Sequence, residues 1–121
     1  NIQKDKELLF IKSPFLNNIP SRSNIEFYLK ETKEIVNQEL PNISEGGFLV
    51  IRTQDVRIDE YVEPLAKRLV DMLILDNLWL REIVIVTQER QNPYIDKSEG
   101  HLNITHQYLL VYEKTKRDKY V

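Results

Sequence analysis

The sequence predicts an α/β domain: a layer of about four strands, parallel apart from a terminal antiparallel hairpin, with crossover helices. Three observations carry that expectation. Apolar runs at residues 7–11, 48–51 and 82–87 are short, bounded by polar or turn-forming residues, and hydrophobic on both faces, as strands of a parallel sheet are. The segments between them repeat apolar residues at helical spacing. A fourth run, residues 105–113, comes after the third with no helical pattern in between and so closes a hairpin.

Each element has a local reason. Glu7, Leu8, Leu9, Phe10 and Ile11 form the first strand, and Lys12-Ser13-Pro14 ends it, because proline has no N–H to give to the ladder. From residue 21 to residue 40, Ile25, Tyr28, Leu29, Ile35, Val36 and Leu40 recur at helical spacing. Ser23 and Glu26 have the spacing of a capping box, and Pro41 closes the helix. Gly46-Gly47 is expected to turn the chain into Phe48-Leu49-Val50-Ile51, which leaves through the polar stretch Arg52-Thr53-Gln54-Asp55. Val62, Leu65, Ala66, Leu69, Val70 and Leu73 make a second amphipathic stripe over residues 59–75, with Pro64 in its first turn, where proline is tolerated. Residues 82–87 give the third strand, and residues 88–103 a polar loop longer than most connections. Along residues 105–113, Tyr108, Leu110 and Tyr112 fall on one face and Leu109 and Val111 on the other. Residues 114–121 read as a solvated tail, whose Lys114, Lys116, Arg117 and Lys119 form the one basic cluster.

Composition narrows the function classes. With 121 residues, 41% hydrophobic and 30% charged, the chain is long enough for one core and short for two, so a single domain is expected. Cysteine is absent, which excludes disulfides, thiolate metal sites and cysteine nucleophiles; with two histidines and no ligand-spaced cluster, no metal is expected. Seventeen basic against 19 acidic residues give a net charge of −2, so the whole-chain field draws in neither phosphate backbones nor anionic membranes. Any nucleic-acid contact must then be local. No apolar run approaches the roughly 20 residues that span a bilayer, and the first residues lack a signal-peptide core. The expectation is an intracellular protein, cytoplasmic or nuclear, with no membrane partner. The first residue is not methionine, so the chain is expected to be part of a larger domain.

In an open parallel sheet, ligands gather beyond the carboxyl ends of the strands. Here those ends are residues 12–18, residues 52–57 and the loop after Val86. The residues there, with the strands behind them, resemble a known family. Leu8-Leu9-Phe10-Ile11-Lys12-Ser13-Pro14-Phe15-Leu16-Asn17 resembles the strand and turn that read Asp/Asn/Ser-Pro-Pro-Tyr/Phe in S-adenosylmethionine-dependent amino-methyltransferases. Gly46-Gly47-Phe48-Leu49-Val50-Ile51 resembles the next strand of that family. Residues 79–86 and 105–112 resemble the terminal hairpin, where such enzymes often carry His-Glu-Tyr before apolar residues and this chain has His106-Gln107-Tyr108.

The resemblance implies a partial Rossmann-like methyltransferase sheet, specifically the C-terminal half, closer to DNA and RNA amino-methyltransferases than to those acting on small molecules. The turn departs from the pattern. With Ser13 in the polar first position, Phe15 replaces the second proline and Leu16 the aromatic; with Phe15 as the aromatic, Lys12 replaces the acid and Ser13 the first proline. The glycine-rich donor loop has no counterpart, since the three glycines are Gly46, Gly47 and Gly100.

The resemblance also implies a division of chemical roles. Ser13, with a backbone carbonyl of Ser13 or Pro14, would accept protons from an exocyclic amine, and Phe15 would stack the flipped base, worth roughly 1–3 kcal/mol. Arg52, Gln54, Asp55 and Arg57 would form the substrate rim. S-adenosylmethionine would be held by residues outside this chain, so the chain alone is expected to be inactive. The function expected is thus part of a methyltransferase acting on a nucleic-acid amino group. The alternative is an inactive methyltransferase-like binding or scaffold subunit, favoured by the broken turn and Lys12. The expected sheet order is first, second, fourth, third, which leaves residues 8–11 at an edge although apolar on both faces. Edges are normally short, charged or covered. The expected partner there is a strand of the missing donor-binding half, or a second copy in a homodimer through residues 8–11.

Overall fold

The computed structural model describes residues 6–15, 21–87, 95–96, 101–102 and 106–116. Strand β1 (Lys6–Lys12) leads to helix α1 (Arg22–Glu39), a 3-10 turn (Leu40–Asn42) and β2 (Ile43–Thr53). A short hairpin, β3 (Val56–Ile58) and β4 (Tyr61–Glu63), precedes α2 (Leu65–Met72). Then come β5 (Leu78–Thr87), a two-residue ladder of β6 (Ile95–Asp96) with β7 (His101–Leu102), and β8 (His106–Lys114). The main sheet runs β1-β2-β8-β5, with β1 parallel to β2 and β8 antiparallel to both of its neighbours. This is the order and the mixture of directions that the sequence predicts.

Both helices share one core with one face of the sheet. Ile25, Tyr28, Leu29 and Val36 of α1 and Leu65 and Leu69 of α2 are buried with Leu49, Ile51, Leu110 and Tyr112. Strand pairing sets Leu9 beside Leu49 and Ile11 beside Ile51, then Leu49 beside Tyr112 and Ile51 beside Leu110, so this face is one apolar layer. Both crossovers move in the same direction across the sheet. Right-handed connections then put both helices on the same side.

Four local expectations are corrected. The capping box is Ser21 with Asn24, not Ser23 with Glu26: Ser21 Oγ accepts from the Asn24 amide at 3.2 Å, and Asn24 Oδ1 accepts from the Ser21 amide at 3.1 Å. Ser23 and Glu26 lie inside the helix, where Glu26 pairs with Arg68. Gly46-Gly47 is a bulge within β2 rather than a turn before it. Between Lys6 and Leu8 on β1, the partner strand advances from Ile43 to Phe48. Gly46 takes φ 85°, and a Cβ on Gly47 would lie 2.9 Å from both Ile43 Cγ2 and Ser44 O, so neither position accepts a side chain cheaply.

The second helix is shorter than residues 59–75. Pro64 is its N-cap rather than part of its first turn, and the residue before a proline is pushed out of the helical region. Residues 56–63 pair as β3 and β4 instead, with Asp59 in the left-handed region at φ 60°, which aspartate tolerates better than most residues. Finally, Lys114 is not tail. It ends β8, and its Nζ donates to Leu40 O at 2.8 Å and Ile43 O at 2.7 Å, serving carbonyls where α1 ends.

Candidate functional site

The carboxyl ends of β1 and β2 lie side by side, because Lys12 pairs with Arg52 and the Ser13 amide then donates to Arg52 O at 2.8 Å. That bond carries the parallel ladder one residue further and sets Ser13-Pro14-Phe15 next to Thr53-Gln54. Ser13 is 3% exposed, under α1. Its Oγ accepts from the Phe15 amide at 3.1 Å, which fixes the turn.

A polar cluster that the sequence did not disclose sits beneath this turn. Tyr28 of α1 donates from its hydroxyl to Thr53 Oγ1 at 3.4 Å, with the Ser13 and Thr32 hydroxyls near enough to influence its phenol. Burial is the largest influence on Tyr28 and pushes its phenol above the usual range, against the hydroxyls of Thr53, Ser13 and Thr32. Phe15 meets the Tyr28 ring edge-to-face, with centroids 5.2 Å apart and planes at 72°. The turn is therefore anchored to α1 by a hydroxyl network and an aromatic pair. From sequence, Tyr28 belongs to the apolar stripe and Thr53 to a polar exit. Only their meeting across 25 residues makes them a cluster.

Of the four rim residues, Arg52 and Asp55 are bonded to other parts of the fold, Arg57 is bonded in part, and Gln54 has no amide partner among the described residues. Arg52 donates from Nε to Gln107 Oε1 at 2.7 Å across β2 and β8. Asp55 Oδ1 accepts from the Ala66 amide at 3.3 Å and also serves the Leu65 amide, so it caps the first turn of α2, which has no side-chain cap from its own N-cap residue. Burial raises its carboxyl above the usual range, with the two amides pulling the other way. Gln54, 7% exposed, has both amide atoms buried without a partner among the described residues. Arg57 donates from Nη1 to Glu60 O at 3.5 Å, while its Nε is buried and unpartnered among the described residues.

Flanking this rim, Arg68 bonds to Glu26 and Glu63, and Arg22 to Glu63, tying α1, β4 and α2 together. The guanidinium hydrogen bonds are the main reason both carboxyls fall below their usual range. Leu16 and Asn17, most of the loop after Val86, and Arg117 and Lys119 lie outside the described residues. Among those described, no His, Cys, Asp and Glu group is placed to hold a metal, and no helix is long and apolar enough to cross a membrane.

The glycines of the described residues do not fit a methyl-donor site. Gly46 and Gly47 both lie in β2, and the space a Cβ would take at Gly47 is filled by Ile43 Cγ2, Ser44 O and Glu7 O rather than left as a cradle.

No protein-family description matches the sequence, and no curated protein matches it. Solved structures do match its fold. One is the selenomethionine crystal form of a "putative DNA modification methylase" from Thermus thermophilus, 18% identical, with a TM-score of 0.67 over 97% of this chain and 48% of that chain. The same protein complexed with S-adenosyl-L-methionine gives 19% identity and a TM-score of 0.69 over 97% and 49%. This chain spans about half the length of the neighbour it matches. The four-stranded mixed sheet with its two crossover helices is a methyltransferase-like fold.

Proposed function

We propose that this chain is the substrate-side part of a nucleic-acid amino-methyltransferase, with the methyl donor held by residues outside it. The observation that carries the reading is the position of the Ser13-Pro14-Phe15 turn at the carboxyl end of an edge strand. The matched neighbour has twice this length and is complexed with S-adenosyl-L-methionine. In the whole protein, S-adenosylmethionine held by residues outside this chain would supply the electrophilic methyl group. This chain's part is to hold the base and to take protons from its amine. Ser13 Oγ already accepts from the Phe15 amide, so the acceptor role falls first on the backbone carbonyls of the turn. The Phe15 ring, steadied by Tyr28, is the stacking surface.

The edge itself supports a heterologous partner. Leu8 is 57% and Phe10 49% exposed, an apolar stretch that soluble proteins seldom leave uncovered. A symmetric antiparallel pairing of two copies centred on Leu9 would set Lys6 against Lys12 at both ends, and directly opposed like charges destabilise a strand pair. A parallel strand from the donor-binding part avoids this.

The second reading, an inactive binding or scaffold subunit, is favoured by the commitment of Ser13 Oγ and the Phe15 ring to the fold's own contacts. Titration calorimetry separates the cases when done twice with S-adenosylmethionine: no heat with the 121-residue chain, binding with the whole protein that contains it. Binding by the chain alone refutes the division of labour. Methyl transfer to single-stranded oligonucleotides by the whole protein, lost in Phe15→Ala while the fold is retained by circular dichroism, supports catalysis. Its absence on every oligonucleotide supports the scaffold.

A further inference from the structure

We infer that Gln54 reads the target base, its carboxamide engaging a nucleobase edge that sets an amine N–H beside a ring-nitrogen acceptor. The inference rests on the nucleic-acid reading above and deepens it. Nε2 and Oε1 of Gln54 are both buried, and neither has a partner among the described residues. A buried carboxamide left unpaired on both sides is costly, and native proteins keep few such groups. The residues on either side show how readily this crossing satisfies its polar groups: Thr53 accepts from Tyr28, and Asp55 caps α2. Among the described residues, Gln54 is left with an unpaired donor and acceptor side by side, at the carboxyl end of β2, where ligands of open α/β sheets sit.

A carboxamide is complementary to an edge offering one donor next to one acceptor, the pairing glutamine makes with adenine through N6 and N7. Cytosine offers the same pair through N4 and N3. Gln54 thus specifies the donor–acceptor edge, and the methyl-transfer reading specifies that the donor is an amine. Three residues on, Arg57 holds a buried unpartnered Nε–H and a charge that no carboxylate neutralises among the described residues. A base edge together with an anion describes a nucleotide better than a peptide amide.

The test is an NMR titration of the ¹⁵N-labelled 121-residue chain with AMP, CMP and N6,N6-dimethyl-AMP, following the Gln54 side-chain NH₂, the Arg57 Nε–H and the Phe15 amide. AMP or CMP shifts the Gln54 and Arg57 signals, and whichever does so alone identifies the base. The dimethyl nucleotide, which has no amine N–H, binds at least about tenfold more weakly than AMP. Gln54→Met, of similar length but unable to pair, weakens nucleotide binding by about tenfold and raises the melting temperature of the free chain, because it removes two unpaired polar atoms from a buried site. Shifts at Phe15 with none at Gln54, or a Gln54→Met chain less stable than the parent, overturn the assignment and leave the nucleic-acid reading standing. Silence at all three positions with these nucleotides and with single-stranded oligonucleotides overturns both.

Discussion

The two faces of β1, β2 and β8 are built alike and finished differently, whereas β5 carries exposed apolar residues on both, Ile83 and Ile85 on one and Val84 on the other. On the helix side, Leu49, Ile51, Leu110 and Tyr112 are sealed under α1 and α2. On the other side, Leu8, Phe10 and Val84 are exposed and Val50 and Val111 only half-buried, although strand pairing sets Leu8 beside Phe48, Phe10 beside Val50 and Val50 beside Val111 in an equally apolar row. Alternation along a strand therefore does not decide which face is covered. Connection handedness does: both crossovers run the same way, so the chain can put its own helices on only one side. A segment adding strands beyond β1 and crossing in the opposite direction would cover the other.

The largest effect that sharpens this contrast is in the sealed layer. Ile51→Ala is expected to cost about 2–5 kcal/mol in denaturant unfolding, from lost burial plus the cavity left behind. A cost under about 1 kcal/mol would mean that the two faces are energetically equivalent. Next in size is Asp55→Ala, which uncaps α2 and is expected to lose about 1 kcal/mol. If the substitution leaves unfolding unchanged, Asp55 is free for substrate instead.

Tyr112 tests the sealed side from the opposite sign. Its hydroxyl is buried with no partner among the described residues, and burial pushes the phenol up to about 12. Above about pH 10 the unfolded chain releases this proton while the folded chain keeps it, so the unfolded state binds fewer protons and stability falls as pH rises from about 10 to 12. Tyr112→Phe should flatten that alkaline slope relative to the parent and stabilise the chain at neutral pH by up to about 1 kcal/mol. A steeper slope, or a loss at neutral pH, would show that the hydroxyl is satisfied. Smallest is the open face, where Phe10→Thr and Val84→Thr are expected to shift stability by within about 0.5 kcal/mol while improving solubility. A loss of several kcal/mol at either position would mean the face is already covered.

The sheet was legible because each strand announces itself locally. Apolar runs bounded by Pro14, by Gly46-Gly47 and by Thr87 fix four strands, and short connections with right-handed crossovers leave few orders for them. Where sequence reasoning slipped, a contact outside its window decided. The glycines look like a turn until β1 lies beside them and turns them into a bulge. Residues 59–64 continue a helical stripe until Pro64 forbids the residue before it, and Val56 to Glu63 find each other as strands. Ser23 and Glu26 have the right spacing for a cap, but Asn24 closes the box with Ser21 and Arg68 takes Glu26.

The amino-acid order was enough to bring residues 12–15 and 52–57 to one rim, since both follow parallel strands whose carboxyl ends lie side by side. What each side chain there is free to do emerged only once the chain was folded. Arg52 meets Gln107 across 55 positions, Asp55 meets Ala66 across 11 and Tyr28 meets Thr53 across 25, while Gln54 meets no described residue through its amide atoms. Backbone periodicity is a local property of the chain and can be read from neighbours in sequence. Satisfying a polar side chain depends instead on which distant groups the fold carries within about 3 Å of it.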